Sequence, residues 1–209
     1  FQGSHVRTES IQQAIFSVQG TGANHHTSGK WLDALGRLPG NHGQDSDVVS
    51  VYTQTTLKGD DIRASLPKDQ WPKGKGWEKY YNLCVKLKLA LYGHPLAGLW
   101  WEKHCEKVIL GAGFVPVRGH ECLYIHCAKT FFLSVYVDDF KLAGPKDKLK
   151  LGWEMRSSGL NIEAPGSLGL YLGCKHEQST RVLPGTGKTV RVMEYNMEEF
   201  LKSCVERYN

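Results

Sequence analysis

The chain has 209 residues, 41% of them hydrophobic, and carries 26 Lys and Arg against 21 Asp and Glu, a net charge of +5. That length suffices for one substantial core, and the charge permits a polyanionic partner without requiring one. No apolar run reaches 18 residues, so no segment reads as a membrane-spanning helix, and no membrane partner is expected.

Phe1-Gln2-Gly3-Ser4-His5 reads as the remnant of a purification tag. Ile11, Ala14, Ile15 and Val18 recur at helical spacing until the Gly20 to Gly29 stretch interrupts them, and a second helix is expected over Lys30 to Arg37. Asp47 to Leu57 has β character over its first half, and Ile62 to Leu66 predicts a short strand. Pro67 to Gly76 is a loop. The aromatics of that region, Trp71, Trp77, Tyr80 and Tyr81, alternate with lysines and read as a cover for the core in preference to a stacking platform for a single strand. Cys84 to Leu91 alternates apolar residues with Lys86 and Lys88, the period of a strand with one wet face.

Gly93 and Pro95 open a helix whose Trp101, Cys105, Val108, Ile109 and Ala112 share a face, and Gly111-Ala112-Gly113 stops it. His94 reads as a turn residue before that helix. Strands are expected at Leu123 to His126, Phe131 to Val137 and Phe140 to Ala143, a helix from Pro145 to Ser158, a strand at Leu170 to Glu177, its hairpin partner at Thr189 to Tyr195, and a terminal helix from Asn196 to Arg207. Pro184-Gly185-Thr186-Gly187-Lys188-Thr189 imitates a phosphate-binding loop, but the first glycine of that motif falls at Val182, so a hairpin loop is preferred. The elements mix without strict β-α-β alternation, which favours an α+β fold. The six cysteines contain no Cys-x-x-Cys pair and read as reduced thiols, not zinc ligands.

Chemistry concentrates at Tyr136-Val137-Asp138-Asp139, where two adjacent carboxylates sit at the tip of an apolar hairpin. Hairpin turns accept aspartate for backbone reasons, yet crowded like charges call for a cation. In its flanks this string resembles the Y-V-D-D hairpin of reverse transcriptases of the Ty1/copia type. Three further segments resemble that family in the same order. Asp47-Val48-Val49-Ser50-Val51-Tyr52 is similar to the strand bearing its first catalytic aspartate, Lys88-Leu89-Ala90-Leu91-Tyr92-Gly93 with Trp100-Trp101 to its L-Y-G block, and Leu168-Gly169-Leu170-Tyr171-Leu172-Gly173 to its Y-F-L-G strand.

The resemblance implies an RNA-directed DNA polymerase acting in the cytoplasm, within the virus-like particle of a parent retroelement. It implies a palm-like antiparallel sheet packed on helices, spanning 47–195, with a divergent fingers-like segment at 6–46, the start of a thumb-like helix at 196–209 and no complete thumb. Asp47, Asp138 and Asp139 would be its catalytic and metal-binding carboxylates, Asp47 and Asp138 bridging two Mg²⁺ or Mn²⁺ ions and Asp139 contributing less directly. Val48, Tyr52 and Tyr136 would meet the incoming deoxynucleoside triphosphate, although Tyr52 reads equally as a core aromatic. Lys86, Lys88, Lys141, Leu172 and Gly173 would hold the primed RNA or DNA template. Val51 stands where the family has a smaller residue, and two further departures, His94-Pro95-Leu96-Ala97-Gly98-Leu99 in the helix block and an N-terminal segment with mainly Arg7, Lys30 and Arg37 in place of basic finger strands, point to the alternative of a repurposed palm that binds nucleic acid or protein without catalysis. A metal-dependent nuclease accounts for the carboxylates but not for the L-Y-G block.

Overall fold

The computed structural model describes residues 26–208 apart from 60 and 75. The tag remnant and the helical pattern over Ile11 to Val18 lie outside them. In chain order the elements are helix α1 (His26–Gly36), strands β1 (Asn41–Asp47), β2 (Arg63–Ser65) and β3 (Cys84–Lys86), helix α2 (Ala97–Gly111), and strands β4 (Val115–Pro116), β5 (Leu123–His126), β6 (Phe131–Tyr136) and β7 (Asp139–Pro145). Helix α3 (Leu149–Gly152), strands β8 (Gly166–Ser167), β9 (Leu170–Tyr171), β10 (Cys174–Val182) and β11 (Thr189–Asn196), and helix α4 (Glu198–Glu206) complete the chain. The architecture is α+β with antiparallel pairing in every ladder.

Among the described residues two compact units emerge, one from residues 52–101 and one that joins residues 26–51 with residues 102–208. This division differs from the boundary placed at 46/47 by sequence, which falls inside β1. In the larger unit a six-stranded sheet runs β4-β5-β6-β7-β1-β8, and a smaller one runs β11-β10-β9. Phe131, Leu133, Phe140 and Leu142 are fully buried in the central hairpin. Each such side chain contributes about 1.5–3 kcal/mol of transfer free energy. Helix α1 lies on β1, β6 and β7, where Leu32 packs with Leu123 and Ala143, and Trp31 meets Phe132 edge-on at 4.6 Å.

Strand β1 reads Asn-His-Gly-Gln-Asp-Ser-Asp, without an apolar side chain beyond Gly43, yet it is an inner strand. Seven residue pairs, from Asn41↔Pro145 to Asp47↔Asp139, join it to β7. Three of its polar side chains bond to neighbouring elements. Gln44 Oε1 accepts the Trp153 indole N–H at 2.9 Å, Ser46 Oγ donates to the Glu163 carbonyl at 2.9 Å, and Asp45 Oδ2 accepts the Gly169 N–H at 2.9 Å. Hydrogen-bonded polar groups can be buried at little net cost, whereas orphaned ones cannot.

The smaller unit buries Ala90, Ala97 and Trp100, against which the partly buried Tyr52, Leu57 and Leu96 pack. His94 stacks on Trp100 at 4.7 Å, and its Nδ1 accepts the Leu96 N–H at the entrance to α2. That is the turn role expected for it. Helix α2 buries Trp101, Cys105 and Ile109 and exposes Lys103, Glu106 and Lys107, as its spacing predicts.

Three expectations are corrected. The β character assigned after Asp47 belongs before it: β1 ends at Asp47, Ser50 has φ 52, and Val51–Gln54 is a 3₁₀ turn. The helix over Pro145 to Ser158 is a single α turn followed by a 3₁₀ turn, Trp153–Ser158. Gly152 is where the helix changes character, and there a Cβ would come within 2.5 Å of the Leu142 side chain. The strand over Leu170 to Glu177 is broken by a two-residue turn, Leu172-Gly173, whose φ values of 52 and 72 are those of a type I′ hairpin.

Candidate active site

The β6–β7 hairpin closes through Val137 and Asp138, with Tyr136 opposite Asp139. Val137 has φ 54, a region that a β-branched residue occupies only under strain. Such strain concentrates at functional turns. On the other side of β7, Asp47 is the direct cross-strand partner of Asp139, so the two carboxylates leave the same face of the sheet. The Val48 N–H donates to the Asp138 carbonyl at 2.9 Å, which ties the end of β1 to the hairpin tip.

The electrostatics follow from this crowding. Burial, reinforced by the charges of Asp138, Asp47 and Asp45 and by a hydrogen bond with Asp47, pushes the Asp139 carboxyl up to about 6. Two carboxyls sharing a hydrogen bond must hold a proton between them unless a cation replaces it. Asp45, two residues before Asp47 on the same strand face, is a fourth acid that sequence reasoning missed. Burial raises its carboxyl, against the lowering effect of the Gly169 N–H. The i, i+2 spacing of Asp45 and Asp47 was the available signal.

The other expected site residues are distributed as follows. Val48 is buried and bridges to Ile162, and Tyr136 is half-buried at the end of β6. Tyr52 belongs to the smaller unit, where it is partly buried against the Ala90, Ala97 and Trp100 cluster and meets Tyr92 edge-on at 4.7 Å. Lys86 and Lys88 are exposed, and Lys86 pairs with Asp61 at 2.5 Å. Leu172 and Gly173 form the hairpin turn described above.

Lys141 is a correction. It was expected on the surface against phosphates, but it is 1% exposed, and its ammonium donates to both oxygens of Asp33 at 2.9 and 3.1 Å. It also lies 4.0 Å from the centre of the Tyr171 ring and 3.3 Å from His176 Nε2. Tyr195 donates its hydroxyl to Asp33 Oδ2 at 2.9 Å. Burial alone would raise the Asp33 carboxyl, but hydrogen bonds from His176, Lys141 and Tyr195 together with the Lys141 charge hold it below the usual range. The group forms one wall of a cavity of about 220 Å³ that Tyr171, Cys174 and Met197 also line. Sequence gave no sign of it, because its members lie on four separate elements.

Among the described residues no three His, Cys, Asp or Glu side chains stand in an arrangement that holds a metal ion as placed. No helix among them is long and apolar enough to cross a membrane. No protein-family profile matches the chain, and no curated protein matches it.

Proposed function

We propose that the chain is the polymerising palm of a Ty1/copia-type reverse transcriptase, adding deoxynucleotides to a primer 3′ hydroxyl on an RNA or DNA template. The observation that carries the reading is the cross-strand pair Asp47–Asp139 next to the strained Val137-Asp138 turn. The donor set is all carboxylate oxygen, the ligand type that Mg²⁺ and Mn²⁺ prefer. The proton retained by Asp139 up to about pH 6 marks a place where positive charge is favoured. When bound, two such ions lower the pKa of the primer hydroxyl and neutralise the leaving pyrophosphate. Asp47 and Asp139 would hold them from adjacent strands and Asp138 from the turn, with Tyr136 beside them.

Primer extension on poly-rA with oligo-dT tests the reading. Extension is expected with Mg²⁺ and not with EDTA, and its absence under both Mg²⁺ and Mn²⁺ would overturn catalysis. A second measurement follows the ions without turnover. A ligand that binds only the folded state at ten times its Kd adds about 1.4 kcal/mol, so millimolar Mg²⁺ should raise Tm by a few degrees. Mn²⁺ should act at lower concentration. Asp138→Asn should remove the response, and an equal response in wild type and variant would mean that the ions bind elsewhere.

The buried Lys141 and the Lys86–Asp61 pair leave fewer lysines for a phosphate backbone whether or not the palm extends a primer. A second reading, a palm that binds without extending, rests on the departure of His94-Pro95-Leu96-Ala97-Gly98-Leu99 from the helix block. Its signature is affinity for primed duplex that falls steeply with salt, with a log–log slope of about −0.9 per phosphate neutralised, and no elongated product.

A further inference from the structure

The end of the β1–β7 ladder opposite the carboxylates has the reverse electrostatic character. Arg37 from the end of α1, His42 from β1, Lys146 just after β7 and Arg191 from β11 converge there. The Arg37 guanidinium donates to Gln178 Oε1 at 2.6 Å and to the Ser179 carbonyl at 3.1 Å, and Arg191 Nη1 donates to the Asn41 carbonyl at 3.4 Å. The Lys146 N–H donates to the Gly40 carbonyl at 3.0 Å, which fixes that lysine beside the start of β1. These hydrogen bonds satisfy only part of the donor set. Arg37 Nε and Arg191 Nη2 are both buried without a hydrogen-bond acceptor among the described residues.

Nor is the charge compensated. Among the described residues none of the four forms an ion pair with Asp or Glu, and Asp147, next to Lys146, forms none either. Other cations of the same small sheet behave differently: Arg181 pairs with Glu194, and Lys175 with Glu177. The repulsion is felt at His42, whose imidazole is held below its ordinary range by burial and then by the charges of Lys146, Arg37 and Arg191. Burying a guanidinium N–H without an acceptor is unfavourable, and here two occur within one basic cluster.

We propose that Arg37, His42, Lys146 and Arg191 form an oxyanion site that takes a phosphate group, either a free phosphate or one of a nucleic-acid backbone. Two guanidinium groups offer forked donors suited to phosphate oxygens, Lys146 adds a flexible point charge, and the histidine a further N–H. His42 precedes Asp47 by five residues of strand, about 17 Å. The site is therefore separate from the carboxylates and does not depend on the polymerase reading.

The test uses ¹⁵N-labelled full chain in EDTA, titrated separately with inorganic phosphate and with a short oligothymidylate. The Nε–Hε resonances of Arg37 and Arg191 should shift saturably, and the His42 ring should titrate at higher pH in saturating phosphate. Lys146→Gln, an exposed change that spares the core, should weaken binding about threefold, and Lys146→Gln with Arg191→Gln at least about tenfold. Saturation by phosphate alone identifies a free-phosphate site, and saturation by the oligonucleotide identifies backbone recognition. No saturable shift with either probe, or unchanged affinity in the double variant, would overturn the proposal.

Discussion

Lys141→Met is expected to destabilise the protein by about 3–5 kcal/mol, because it strands the buried Asp33 carboxylate without its cation. In a domain whose total stability is about 5–15 kcal/mol, that corresponds to a Tm roughly 10 °C lower. Tyr195 and His176 still reach Asp33, so the loss stays at the lower end of the range if they suffice to solvate it. Asp33→Leu combined with Lys141→Met should recover about half of the loss, since replacing both members of a buried pair by apolar groups is far less damaging than breaking it. Thermal or urea unfolding of the three proteins checks this. A Lys141→Met protein as stable as wild type would show that the ion pair contributes nothing.

The pair also fixes a pH dependence. Asp33 is held below its ordinary pKa, so its contribution is complete above the unfolded value of 3.8 and is lost as pH falls through the folded value. Acid sensitivity below about pH 4 should therefore be weaker in Lys141→Met than in wild type.

Asp139→Asn carries the second large effect, with two readouts of opposite sign. On the polymerase reading proposed above, loss of one of the carboxylates that would hold the ions should lower primer extension about a thousandfold, the several kcal/mol of transition-state stabilisation that such ions supply. The same change should stabilise the metal-free fold at pH 7. The Asp139 carboxyl is raised from 3.8 to about 6, so between those values the folded state binds more protons than the unfolded, and wild-type stability falls as pH rises through that window. Two units correspond to about 3 kcal/mol, reduced to roughly 1–2 kcal/mol because the group is half-exposed and screened. Asparagine removes that pH dependence. Unfolding curves at pH 4 and pH 7 check the sign: if Asp139→Asn is no more stable than wild type at pH 7, the carboxylates are not in conflict.

Where the chain writes its structure in apolar runs, the structure follows. Phe131 to Val135 and Phe140 to Ala143 are buried strands, and the one-faced helix over Ala97–Gly111 appears with its expected stop. The aspartate pairing was partly legible, since Asp138 and Asp139 had to lie at a hairpin tip. What was not legible is β1, because its fitness for an inner position rests on specific hydrogen bonds to Trp153, Glu163 and Gly169 and not on hydrophobic period. Lys141 was misread for a related reason. A lysine beside aspartates in an apolar strand looks like a surface charge until Asp33, 108 positions earlier, is known to face it. The break at Leu172-Gly173 shows the limit of propensity, as leucine gives no warning of a left-handed conformation.

Strand β1 has a consequence for how the molecule forms. Its partner β7 lies roughly ninety residues further along the chain, whereas β7 and β6 are joined by a two-residue turn. Loop closure makes such distant pairing slow compared with a hairpin. The β5–β6–β7 meander should form early, with one edge of β7 unpaired, and β1 should be added to it late. Asp47 thus reaches Asp139 only at that last addition, and the mutual repulsion of the carboxylates opposes it. Refolding of the wild type should accelerate with added Mg²⁺ or at pH 5, where a cation or a proton removes the repulsion, while the hairpin strands gain hydrogen-exchange protection at an unchanged rate.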